Sequence, residues 1–126
     1  MIKSGGLLND AKLMSNSTPQ KQDILDAQER IRPYIVRTPL LTSDALDEMA
    51  GCSMHFKCET LQKIGAFKMR GAMNAALKLT PEQQRRGLAT HSSGNHAQAL
   101  ARAAKLLGLN AYIVMPRTAQ IGRAHV

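Results

Sequence analysis

Between Leu88 and Met115 the hydrophobic period changes twice. Leu88-Ala89-Thr90-His91 reads as a short strand. Ala97, Leu100, Ala101, Ala104 and Leu107 then recur at helical spacing, with Gly108 as a stop. Ala111-Tyr112-Ile113-Val114-Met115 is an apolar strand halted by Pro116. Strand, helix and strand with short connections leave few topologies: the two strands run parallel in one sheet, joined by a right-handed crossover. That βαβ unit predicts the α/β class.

The upstream sequence predicts more helix than strand. Thr18-Pro19 offers a capping hydroxyl followed by proline at the first helical position; Ile24, Ala27 and Ile31 continue the helix until Pro33. Leu40-Leu41-Thr42 is extended, and Ser43 caps a second helix closed by Gly51. From Ser53 the period is two, with Met54, Phe56 and Cys58 on one face and His55 and Lys57 on the other, as in a half-buried strand. Met69, Ala72, Met73, Ala76 and Leu77 mark a strongly amphipathic helix. Thr80-Pro81 with Gln83 forms a capping box for a short helix stopped by Gly87. There are no internal repeats.

A net charge of +8 raises the question of nucleic acid, but the cations are dispersed, Arg85-Arg86 being the longest run, and aromatic residues make up only 3%. No basic stripe with interleaved stacking residues results, so no nucleic-acid partner is expected. No apolar run reaches the roughly 20 residues needed to span a bilayer, and no contiguous apolar core marks a secretory signal. Cys52 and Cys58 have no second pair at metal-binding spacing. Reduced thiols and a cytoplasmic location are therefore expected, with no membrane partner and no metal site. His91 and His96 fall on either side of a turn, which does not make the i, i+4 helical pair of a metal site. Cys58 reads as a core thiol, and Glu59 and Arg70 as structural ion-pair partners.

Two junctions put polar groups where the chain enters a helix. Lys68 opens the helix whose buried face begins at Met69. A positive charge there faces the positive end of the helix dipole, which favours the uncharged amine that condenses with an aldehyde. The plain alternative is a lysine that snorkels to solvent. The second junction, His91-Ser92-Ser93-Gly94-Asn95-His96, offers hydroxyls, an amide and the free N–H groups of a helix start, a receptor for a carboxylate or phosphate. Gly94 would allow a tight turn with close backbone approach. Its plain alternative is an ordinary cap made by Ser93 or Asn95.

Gly65-Ala66-Phe67-Lys68-Met69-Arg70-Gly71-Ala72 resembles the cofactor-lysine motif of the fold-type-II pyridoxal-phosphate enzymes, in their serine racemase and serine/threonine dehydratase branch. Ser92-Ser93-Gly94-Asn95-His96-Ala97-Gln98-Ala99 resembles that family's substrate-carboxylate loop. Arg37-Thr38-Pro39-Leu40, Phe56-Lys57-Cys58-Glu59 and Ala111-Tyr112-Ile113-Val114-Met115-Pro116 agree with it, so the likeness runs from about Ile24 to Ala119. The resemblance implies a tryptophan synthase beta-like fold, incomplete here, and pyridoxal 5′-phosphate as cofactor.

By the same resemblance, Lys68 is the Schiff-base residue and the base that removes the substrate α-proton. Phe67 packs against the cofactor ring and Asn95 hydrogen-bonds its 3′-oxygen. Ser92, Ser93, Asn95 and His96 are implied to bind substrate, chiefly its carboxylate. The implied reaction is dehydration of L-serine or L-threonine to a 2-oxo acid and ammonia. Ser93 stands where dedicated threonine dehydratases commonly carry alanine. Its hydroxyl resembles the second acid/base of serine racemase, so racemisation is implied as a companion or alternative activity. A cysteine-synthase-like β-replacement enzyme and a non-catalytic basic binding protein are the remaining readings. The full-length enzyme is expected to be a homo-oligomer.

The ends carry separate expectations. Met1 to Leu13 lack periodicity and Met14-Ser15-Asn16-Ser17 reads as a natural start, so residues 1–13 are expected to be a non-native or disordered leader. Ile121-Gly122-Arg123-Ala124-His125-Val126 matches the in-frame translation of a common adapter oligonucleotide. Residues 14–120 are then expected to be a truncated N-terminal part of the enzyme, with portions of its large and small domains. The family's glycine-rich phosphate loop, pyridine-nitrogen partner and divalent-cation site are implied to lie further along. The chain alone is expected to be inactive, poorly soluble and weak in binding cofactor.

Overall fold

A computed structural model describes residues 18–119; the expectations for Met1 to Leu13, for the start at Met14 and for residues 121–126 lie outside them. Among the described residues five α-helices and four short strands follow in the order α1 (Lys21–Ile31), β1 (Leu40–Leu41), α2 (Asp44–Ala50), β2 (Phe56–Lys57), α3 (Lys68–Leu77), α4 (Pro81–Arg86), β3 (Leu88–His91), α5 (Asn95–Leu107) and β4 (Ala111–Val114). Single 3-10 turns occupy Arg32–Tyr34, Glu59–Leu61 and Lys63–Gly65.

The expected βαβ unit is present. β3 and β4 pair in parallel, Leu88 against Ala111 through His91 against Val114, with α5 between them in sequence and packed on both. Gly108 closes α5 in the left-handed conformation (φ 67°). Gly87 is required where the chain enters β3: its φ is +86°, and a Cβ there would stand 2.8 Å from the Asn110 carbonyl oxygen. That carbonyl accepts the Leu88 N–H at 2.8 Å, so the close approach belongs to the sheet itself.

The core forms where α3 meets α5. Met69, Met73 and Ala76 of α3 meet Leu100, Ala103 and Ala104 of α5, with Ile31 from α1 and Leu88 from β3. Met69 and Met73 are fully buried, each contributing about 1.5–3 kcal/mol by leaving water. The period of α3 was legible, but α5 differs from expectation. Its buried residues are Ala97, Ala99, Leu100, Ala103 and Ala104, while Ala101 and Leu107 are half-buried. A helix covered by α3 and also by β3 and β4 buries a wider arc than the single stripe its period suggests.

Two further expectations are corrected. α1 begins at Lys21, after Thr18-Pro19, because the Asp23 carboxylate accepts the Gln20 N–H at 2.8 Å and fixes Gln20 as the cap. The strand expected from Ser53 shortens to Phe56–Lys57, antiparallel to Leu40–Leu41. The Met54 N–H is taken by the Asp47 carboxylate at 2.7 Å, which removes it from any ladder. Phe56 is exposed, and Cys58 is half-buried with no place in the core, so this ribbon lacks the expected inward face.

Candidate active site

Lys68 is the first residue of α3, as its motif requires. Phe67 holds the cap position in helical conformation and no side chain caps the helix. Lys68 is exposed, and its Nζ stands 5.0 Å from the centroid of the Phe67 ring, a cation–π distance. Phe67 is 59% exposed and takes no part in the core, leaving an aromatic ring beside a primary amine. The loop before it is bent by two consecutive left-handed residues, Ile64 (φ 64°) and Gly65 (φ 66°). A β-branched residue there is strained by about 1–2 kcal/mol; Ile64 packs against the core, and that contact offsets the strain.

The second junction opens α5. Neither Ser93 nor Asn95 makes the ordinary cap: Gly94 holds the cap position, with no side-chain capping bond. Ser92 Oγ instead accepts the Gly94 N–H at 3.3 Å, and the Ser92 N–H donates to the Val114 carbonyl at 3.2 Å, tying the loop to the end of β4. Ser93, Asn95 and His96 are exposed and Ser92 is half-buried. Gly94 has a negative φ of −127°, and a Cβ there would meet nothing within 4 Å. The chain bends here through the Ser92 Oγ bond, no left-handed conformation requires glycine, and the glycine leaves open space at the helix start.

These residues form two groups on adjoining helices. Lys68 and Phe67 touch; Ser92 and Gly94 are bonded; α3 and α5 pack on each other. Among the described residues no hydrogen bond joins Lys68 to Ser92, Ser93, Asn95 or His96. A cleft of about 870 Å³ lies elsewhere, between α1 and α3, bordered by Ile24, Ile31, Arg37, Lys57, Arg70 and Asn74. Lys68 does not line it.

A polar framework that motif reading only partly foresaw ties residues 59–62 and Arg70 of α3 to residues 36–38. Glu59 and Arg70 do form an ion pair, and a bidentate one: Arg70 Nε donates to Glu59 Oε2 at 2.8 Å and Nη2 to Oε1 at 2.6 Å. The Thr38 hydroxyl donates to Glu59 Oε1 at 2.6 Å. Gln62 grips Val36 by both backbone groups, accepting its N–H at 2.9 Å and donating to its carbonyl at 2.8 Å. Thr38 and Gln62 are each only 3% exposed, and motif reading passed over both as site residues. Their partners lie 21 and 26 residues away in sequence, in irregular backbone that has no period to read.

Hydrogen bonding from Arg70 holds the Glu59 carboxyl at about 2, against an ordinary value of 4.5; burial opposes this, while Thr38 and the charges of Arg70 and Lys57 add to it. The same pairing raises Arg70. Because the folded chain holds Glu59 ionised more tightly than the unfolded chain does, the stabilisation is complete above pH 4.5 and is lost as pH falls towards 2. Its size at neutral pH is roughly 2–3 kcal/mol after partial solvent screening. Thermal unfolding of Glu59→Gln followed by circular dichroism should show a lower midpoint at pH 7 and a flatter profile between pH 4.5 and 2 than the parent chain. Parallel profiles would contradict this assignment.

The parallel βαβ unit, with a lysine opening α3 and hydroxyl and amide groups opening its neighbour α5, is an α/β arrangement. The family model for "Pyridoxal-phosphate dependent enzyme" matches residues 31–125. The chain belongs to the pyridoxal-phosphate-dependent enzyme family, in its serine racemase and dehydratase branch. It is 59% identical over 96 residues to a serine racemase of Arabidopsis thaliana, covering 76% of this chain and 29% of that protein. A beta-hydroxyaspartate dehydratase of Paracoccus denitrificans is 54% identical over 101 residues, covering 80% and 32%. The crystal structure of a serine racemase from Dictyostelium discoideum superposes with a TM-score of 0.78 at 48% identity, covering 81% and 34%. The chain thus spans about a third of the length of the relatives it matches.

The donor set fits the cofactor of this family. An accessible primary amine, an exposed aromatic ring beside it and an exposed amide occupy the motif positions, and among the described residues no hydrogen bond of theirs must be broken. Among the described residues no helix is long and apolar enough to cross a membrane.

Proposed function

We propose that this chain is the cofactor-lysine segment of an enzyme that dehydrates small 3-hydroxy amino acids, L-serine and L-threonine, and racemises serine alongside. The observation that carries this reading is the pair of motifs on adjoining helices, Lys68 with Phe67 at one helix start and Ser92 to His96 at the other. The similarity to a serine racemase and to a hydroxyaspartate dehydratase supports both outcomes.

Lys68 would hold pyridoxal phosphate through its amine, Phe67 would lie against the ring and Asn95 would bond the ring oxygen. When bound, the cofactor supplies an electron sink for charge developing on the substrate α-carbon. Ser92, Ser93, Asn95 and His96 would bind the substrate carboxylate beside the N-terminus of α5, where the helix dipole favours an anion. The Lys68 amine, once released, would remove the α-proton. Ser93 Oγ would exchange a proton from the opposite face. Departure of the 3-hydroxyl as water, then uptake of one water, yields the 2-oxo acid and ammonia; return of a proton from the other face yields the enantiomer.

The reading is tested by replacing the matching segment of the Arabidopsis serine racemase with residues 31–119 and assaying L-serine, L-threonine and D-serine. Oxo acid from both L-substrates together with D-serine is expected. A folded, cofactor-loaded chimera that forms neither would refute it.

A further inference from the structure

The helix that presents Lys68 starts with no capping side chain, and the turn before it contains a strained isoleucine. Left alone, such a first turn frays. Its direction is fixed from outside. Arg70, two residues beyond Lys68, locks into both oxygens of Glu59, which also accepts from the buried Thr38 hydroxyl. Gln62 fastens the intervening loop to Val36 by two hydrogen bonds and accepts the Lys63 N–H at 3.0 Å. The stretch leading to Lys68 is therefore tied on both sides to residues 36–38, which belong to no helix or strand. Stability alone does not call for this arrangement, since an ion pair can be replaced by apolar packing at little cost. Two planar forks, an Arg–carboxylate and an amide–backbone pair, set direction as well as energy.

We propose that Glu59, Arg70 and Gln62 are positioning residues that fix where the Lys68 amine stands, so that the segment 36–38 is part of the machinery of the site. The inference rests on Lys68 being the cofactor lysine. It requires that loosening the fork misplace the amine even when the fold survives, and misplacement by about 1 Å costs on the order of 100-fold in a well-oriented reaction.

The experiment uses the whole chain with pyridoxal phosphate and borohydride. The lysine amine displaces water from the aldehyde, hydride reduces the resulting double bond, and the labelled lysines are located by peptide mass spectrometry. The readout is the initial labelling rate at Lys68 relative to Lys78, an exposed lysine just past the end of α3. In the parent chain this ratio should be well above one. In Arg70→Lys, which keeps the charge and loses the fork, it should fall on the order of tenfold while the unfolding midpoint moves by only a few degrees. Thr38→Val, which removes one bond to Glu59 and leaves the fork, should give a smaller fall. A ratio unchanged in both folded variants overturns the proposal. So does loss of the helical signal in both, which would make the network a folding element only. A parent ratio near one would instead overturn the assignment of Lys68 as cofactor lysine, so the two failures are distinguishable.

Discussion

Lys68→Ala should abolish selective labelling by pyridoxal phosphate and, in the racemase chimera, lower turnover on the order of 10⁴-fold. Two losses combine. One is the covalent hold on the cofactor, and the other is the base that takes the α-proton, by itself worth 10²–10⁴-fold. Folding should be spared, because Lys68 is exposed and its contact is with Phe67, also exposed; surface replacements of this kind stay within about 0.5 kcal/mol. Unfolding midpoints for parent and variant, measured with the labelling, separate the chemical role from a structural one. A variant that keeps its turnover removes the site.

Ser93→Ala carries the second large effect, and its value lies in the contrast between two products. Racemisation needs proton exchange at both faces of the α-carbon, whereas elimination needs only the first. D-serine formation by the chimera should therefore fall by about 10²–10³-fold, as for loss of a general acid/base, while oxo-acid formation falls less than tenfold. Ser93 is exposed and makes no capping bond, so the fold should not respond. Equal loss of both products would return Ser93 to the role of a carboxylate ligand.

The parts of this molecule that were legible in its sequence are those with a period. Met69, Met73 and Ala76 announced the buried face of α3, and residues 88–114 announced a parallel strand pair. Glycine at 108 and the Thr80/Gln83 box marked helix ends for the same local reason. The two motif junctions were legible as helix starts, and both stand there in the fold; the chemistry proposed for them came from the family resemblance. What escaped was non-local. Nothing in the spacing of Thr38 or Gln62 points to Glu59 or Val36, because irregular backbone finds its partners through the tertiary fold. Gly94, read as permitting a tight turn with close backbone approach, has a negative φ and open space around it, so the fold does not require glycine there. The Phe56 ribbon shows how an alternating pattern misleads when a side chain, Asp47, takes the amide that a ladder would use.

The alanine-rich buried face of α5 has one more consequence. Ala103 and Ala104 have almost no rotamer freedom, so on the α5 side the separation from α3 is gauged largely by methyl groups, against which Met69 and Met73 pack. Each helix start would carry half of the proposed reacting groups, and the gap between the halves would inherit that gauge. An added methylene at position 103 would act as a shim, wedging amine and hydroxyl out of reach of one substrate with neither of them altered.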